Sequence, residues 1–356
     1  MTARSKNHDW LALTVEAALE PDLPICDPHH HLWDQVTGRT ASRYLIDEIV
    51  EDVSAGHNIV STVFIECGAM FKQDGPEPMR PVGETEFVNG IAAMSAAGLY
   101  GKTRIAAGII GTANLRLGDG VAAVLDAQIA AGGGRFRGIR LGAAWDPNDS
   151  VPSHRTKPGQ GLLLRDDFRQ GFAHLAPRKL TFEAWLYHHQ IPDVTSLARA
   201  FPGTTIILNH FGGPLGIGPY AGRAERHLRG VAEVHQRARH LPERRRQARR
   251  DQHGDQRLRL ARALPPAGKP GALPTPPGTT TSSPSRSSAP SGCMFESNFP
   301  VEQGELQLHG VVELLQAPDF RLFGGGPAPS CSTTPRPESI ASSRRGQGET
   351  LPSRSS

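Results

Sequence analysis

Three consecutive histidines, His29, His30 and His31, follow the short run Leu23-Pro-Ile-Cys-Asp-Pro. In a β-strand, residues two apart point to the same face. His29 and His31 would then aim both imidazoles into one space, where neutral ring nitrogens suit zinc and related divalent ions. An exposed histidine-rich turn is the plainer alternative, but two imidazoles on one barrel strand make a poor apolar core. A third histidine, His210, ends Ile206-Ile-Leu-Asn and precedes Phe211-Gly-Gly-Pro. A barrel places a metal ligand or catalytic base just past a buried strand. The alternative is a loop histidine satisfied by hydrogen bonds.

Other residues extend this set. His188 and His189 follow Phe182-Glu-Ala-Trp-Leu-Tyr, and one of the two, with His188 preferred, is a candidate ligand or proton shuttle. Glu66 ends an apolar strand as a ligand, a partner of a ligand, or a buried ion-pair member. Arg140 ends another, where it either forks onto a substrate carboxylate or makes a structural salt bridge. Trp33 and Tyr187 join Arg140 as expected substrate contacts. Asn298, in Phe295-Glu-Ser-Asn-Phe-Pro, stands where a carboxylate could act as general base, a task an amide cannot perform.

Alternating elements must carry these residues. Apolar runs at 59–67, 105–111, 136–142, 180–186 and 204–210 read as strands, after a first strand ending at the histidines. Between them, 45–53, 84–99, 118–131, 162–175 and 194–201 carry helical periodicity. Strands alternating with helices give parallel βαβ units. Polar residues follow the apolar runs, as on the catalytic face of a barrel. A doubly wound sheet usually carries a glycine-rich loop after its first strand; three histidines stand there instead. The expected fold is therefore α/β, a (β/α)₈ TIM-type barrel over 22–224, preceded by a helical extension over 1–21.

Near residue 224 the pattern stops. Residues 225–292 are Arg-rich and then Pro/Ser-rich, 293–304 keep a strand motif, and 305–356 return to Gly, Pro, Ser and Arg. All four Trp and all four Tyr lie in the first 220 residues. A disordered linker and tail fit this composition. Translation out of frame fits it too. Synonymous codons permit shifted readings of the stretches near 242–262, 304–318 and 331–340 that restore strand-like and helix-like sequence. The last strands of the barrel are accordingly expected to be degraded or disordered, and a non-functional product is one alternative.

The composition bounds the rest. The net charge is +4, with the basic excess mostly in the Arg-rich stretch. Nucleic-acid binding through Arg244–Arg246 and Arg249–Arg250 is a low-ranking alternative, because no aromatics interleave them. The four Cys form no CxxC pair and read as reduced thiols. Neither a signal peptide nor an apolar run of ~18 residues is present, so a cytoplasmic chain without membrane contact is expected.

The chain resembles the amidohydrolase-related superfamily, in the branch of 2-pyrone-4,6-dicarboxylate lactonase and aminocarboxymuconate semialdehyde decarboxylase. The resemblance rests on Asp27-Pro-His-His-His-Leu-Trp-Asp, Ile206-Ile-Leu-Asn-His-Phe-Gly-Gly-Pro and Cys293-Met-Phe-Glu-Ser-Asn-Phe-Pro-Val. It runs through 22–224 and returns only at 293–304. It implies a barrel hydrolase with His29, His31 and His210 as metal ligands and His188 as a possible fifth-strand match. Asn298 replaces the usual last-strand Asp. Some lactonases of the branch work without metal. The expected activity is hydrolysis of a small carboxylic-acid lactone or related cyclic ester by activated water, with a divalent metal, zinc first. Decarboxylation on the same scaffold is the runner-up, and a homo-oligomer is possible.

Overall fold

The computed structural model describes residues 17, 18, 20–35, 42–221, 259–262 and 293–301. Its frame is a parallel sheet of eight strands. In chain order these are β1 (Ile25–His30), β4 (Ile59–Ile65), β5 (Arg104–Gly111), β6 (Phe136–Arg140), β7 (Thr181–Ala184), β8 (Ile206–Leu208), β9 (Arg259–Arg262) and β10 (Cys293–Phe295). Each pairs with the next. The short strands β2 (Trp33–Gln35) and β3 (Ser42–Tyr44), which follow the C-terminal end of β1 in the chain, form a separate antiparallel pair.

Hydrophobic runs become strands here because helices cover the outside while the inside is filled by the barrel itself. In β5 only Arg104 is exposed, and the seven residues after it are buried. The helices between strands are α1 (Ile46–Val53), α2 (Val82–Ala96), α3 (Val121–Ala131), α4 (Asp166–Phe172) and α5 (Ile191–Ala200). Helix α1 buries Ile46, Ile49 and Val53, spaced three and four apart, and Glu48 caps it by accepting the Leu45 N–H at 2.9 Å. That is the reciprocal half of a capping box.

One expectation needs correction. The helix expected over 162–175 is shorter. Leu162–Leu164 form a single 3₁₀ turn, Arg165 takes extended backbone, and the α-helix starts at Asp166. The closing strands, expected to be degraded, are reduced to the short β9 and β10. β9 pairs with β8 through Leu208–Leu260, and β10 pairs with β9 through Cys293–Leu260. The ring then closes on β1: the His31 N–H donates to the Phe299 carbonyl at 2.7 Å, and the Asn298 N–H donates to the His29 carbonyl at 2.9 Å. Closure of this kind leaves no sheet edge at the seam. The expected N-terminal helix, the rest of 225–292 and all of 305–356 lie essentially outside the described residues, and so do the shifted-frame readings.

The core is aromatic where α4 meets the sheet. Phe168, Phe172 and Phe182 are fully buried, with Phe172 5.3 Å from Phe182 and 4.9 Å from Phe201 between ring centroids. Burying one such side chain contributes about 1.5–3 kcal/mol. This layer holds β7 in place, and β7 carries one wall of the site.

Candidate active site

His29 sits on β1 with its ring 1% exposed. Its Nδ1 donates to Glu296 Oε2 at 2.8 Å, just past β10. His210, past β8, places Nδ1 3.1 Å from the other oxygen, Glu296 Oε1. That contact is not aligned as a hydrogen bond, and Oε1 is left buried without a hydrogen-bond partner. Glu296 is thus gripped by two imidazoles and keeps one unsatisfied oxygen. Among the described residues, His29, His210 and Glu296 form a group whose ligand atoms lie within 4.8 Å of one another.

Two nitrogens and one carboxylate oxygen are a donor set that suits zinc and other borderline divalent ions. An unsatisfied buried oxygen is costly unless something fills its site, and a divalent ion answers that. The electrostatics agree. Burial opposes ionisation of Glu296, but the facing His29 and His210 more than offset it and hold its carboxyl below the usual range. Burial lowers the His29 imidazole to about 4. A carboxylate beside a neutral imidazole is the state we assign, and neutral imidazole is the form that binds metal. The residues fit the group.

His31 does not join this trio. Its ring stands 5.1 Å from that of His29, but Nδ1 donates to the Ile65 carbonyl at 2.8 Å. A carbonyl only accepts, so the ring proton sits on Nδ1 and Nε2 keeps its lone pair; Asn298 Oδ1 lies 3.2 Å from that nitrogen, and two acceptors make no hydrogen bond. Burial pushes His31 well below its usual pKa. Glu296, from a segment paired with β1, thus completes the group with His29 and His210, while the expected ligand His31 lies beside it with Nδ1 bonded to Ile65. Asn298 has φ 54° and His210 φ 48°, left-handed conformations that side chains other than glycine rarely adopt and that cluster at functional sites.

Glu66 resolves to the ion-pair reading. Its Oε1 accepts from Arg140 Nε at 2.8 Å, and its Oε2 accepts from Arg155. Arg140 also donates through Nη2 to the Glu66 carbonyl. Two of its three nitrogens are thereby spent, and Nη1 lies 3.3 Å from His29 Nε2. The bidentate fork expected of Arg140 is not available to a substrate. Arg155, with its side chain 46% exposed, is the freer cation.

A cleft of about 400 Å³ lies beside the group, which does not itself line it; the lining residues Arg140 and Trp185 touch His29 and His210. Its lining includes His31, Trp33, Arg140 and Tyr187, together with Arg155 and Trp185. Trp33 and Tyr187, expected as substrate contacts, both line the cleft. His188 does not line the cleft. Its ring packs against Tyr220 at 5.2 Å, and its Nδ1 accepts the Leu215 N–H at 3.4 Å. Sequence reasoning missed Glu296, Arg155 and Trp185. Glu296 lay inside a quoted motif two residues from Asn298, so a carboxylate search of that island would have found it. Arg155 stands on a loop with no periodic signal.

A sequence profile of the family described as Amidohydrolase matches residues 26–266. The chain belongs to the amidohydrolase family. An uncharacterized protein, y4mH of Sinorhizobium fredii, is 32% identical over 209 residues, or 54% of this chain and 63% of that protein's length. The chain therefore spans under two thirds of that relative. Among solved structures, a Burkholderia multivorans amidohydrolase with bound zinc superposes with TM-score 0.52 at 17% identity, covering 83% of this chain and 90% of the other. That likeness speaks for the fold. A Pseudomonas putida protein provisionally named a 2-pyrone-4,6-dicarboxylic acid hydrolase gives TM-score 0.47 at 14% identity, with 82% and 89% covered. No described helix of this amidohydrolase is long and apolar enough to cross a membrane.

Proposed function

We propose that this amidohydrolase hydrolyses a small lactone or related cyclic ester that carries a carboxylate, using a divalent ion, zinc first. The observation that carries the proposal is the His29–Glu296–His210 trio, joined through Arg140 and Trp185 to a cleft that Arg155 also lines. The ion would supply Lewis acidity and make a water acidic enough to attack a carbonyl near neutral pH.

The chain's own residues do the rest. Arg155 offers its guanidinium to the substrate carboxylate while Arg140, fixed by Glu66, keeps positive charge at the floor. Trp33, Trp185 and Tyr187 wall the cleft and exclude water from the ring. His31, with its Nδ1 proton committed to Ile65, has an Nε2 lone pair positioned to accept a proton.

The test uses the full chain loaded with zinc and a panel of lactones with and without a ring carboxylate, read by acid release. Turnover of carboxylated lactones, lost in His210→Ala, is the expected result. Stoichiometric zinc with no turnover across the panel overturns the proposal, and CO₂ release without ring opening moves it to decarboxylation.

A further inference from the structure

Glu183 sits in the middle of β7, 4% exposed, and has no part in the chemistry above. It is registered between Arg140 on β6 and Ile207 on β8, so its position is set by the sheet. Its Oε2 accepts from Asn209 Nδ2 at 2.7 Å. Asn209 is fully buried and immediately precedes His210.

His210 needs such a hold. Its φ of 48° is a strained conformation that persists only where the surroundings over-determine it. Four bonds converge there. The Asn209 N–H donates to the Ala184 carbonyl at 3.1 Å, and the Gly212 N–H donates to the Asn209 carbonyl at 2.8 Å. The Gly213 N–H donates to the His210 carbonyl at 2.9 Å. Glu183 makes the fourth, and the only one of these through side chains. Trp185, two residues beyond Glu183, sets its ring edge-on to His210 at 4.9 Å. One stretch of chain thus pins the residue before His210 with a carboxyl and the His210 ring with an indole.

Stability alone gives Glu183 little reason to be there. Burial pushes its carboxyl up to about 8, against the opposing Asn209 bond, and an apolar residue of that size avoids the desolvation cost.

We propose that Glu183, acting through Asn209, is a positioning residue that fixes the His210 imidazole for the divalent ion. The proposal rests on the reading of His29, Glu296 and His210 as ligands. Partners that orient ligands change metal affinity by about 10–100-fold when removed.

The test is cobalt(II) binding by the full chain, read as affinity by chelator competition and as the visible ligand-field spectrum, with thermal unfolding in parallel. Glu183→Ala and Glu183→Asp, the latter one methylene too short to reach Asn209, are each expected to weaken cobalt binding about 10–100-fold and shift the spectrum. Glu183→Gln, which keeps an acceptor oxygen at the same reach, is expected to bind as the unsubstituted chain does. A folded Glu183→Asp chain with unchanged affinity and spectrum overturns the positioning role alone. Loss of binding in Glu183→Gln equal to that in Glu183→Asp also overturns it. An unsubstituted chain that takes up no cobalt overturns this role and the metal reading together.

Discussion

Residues 22–221 and the island 293–301 build the same site by different means. In the first region local pattern comes before position. Strands β4, β5 and β8 are apolar runs, the helices between strands bury apolar residues of their own, and the aromatic layer of Phe168, Phe172 and Phe182 sits among them. In the island, position comes from pairing with β1. Ser297 Oγ donates to Asp27 Oδ2 at 2.6 Å, the Ser297 N–H donates to Asp27 Oδ1 at 3.0 Å, and Glu296 and Asn298 meet His29 and His31. The difference teaches that the scaffold is robust and local, whereas the site depends on a few bonds between residues some 270 apart in sequence.

The contrast can be broken most strongly at Glu296. Glu296→Ala removes a donor of the trio and is expected to cost more than the ~10–100-fold in metal affinity that outer partners give, with hydrolysis lost and the thermal midpoint barely lower. Metal titration beside thermal unfolding checks this; a large drop in midpoint with metal affinity kept would reverse the division drawn here. Phe172→Ala should do the opposite. It empties a fully buried site and is expected to cost about 3–5 kcal/mol of unfolding free energy, measured in urea, while metal affinity in the folded fraction holds.

Ser297→Ala sharpens the seam. It strips Asp27 of its side-chain donor and leaves a buried carboxyl short of a partner, for about 1–3 kcal/mol. Burial already raises Asp27 to about 6, with the Ser297 bonds opposing, so the substitution is expected to raise it further. Carboxyl titration followed by infrared absorption would reveal this; an unmoved Asp27 would mean the seam does not depend on Ser297.

The smallest effect concerns Glu84 on α2. Its Oε1 accepts the N–H groups of Cys67 at 3.0 Å and Ala69 at 2.8 Å, tying down the loop after β4. Burial first, and then the Glu66 charge, lifts it from 4.5 to about 7. A raised acid holds its proton longer in the folded state than in the unfolded one, so stability falls as pH rises from about 4.5 to about 7. The slope contributed is at most about 1.4 kcal/mol per pH unit. Urea midpoints across that window should decline, and Glu84→Gln should flatten this component. An identical slope in the variant would remove Glu84 as its source.

The sequence by itself determined the alternation of strands and helices, the barrel class, and the placement of His29 and His210 at strand ends, because burial periodicity and motif spacing are local properties. Legibility failed at particular residues for particular reasons. β9 carries no apolar run in the sequence, and its place in the sheet shows only in its pairing with β8 and β10. Arg155 and Trp185 enter the cleft from separate loops. The tertiary structure decided that Glu296, rather than His31, meets His29 and His210, that Arg140 is committed to Glu66, and that His188 turns toward Tyr220. Each of these depends on which strand lies beside β1 and how the barrel closes, and a contact across a closing seam leaves no periodicity in the chain for a reader to find.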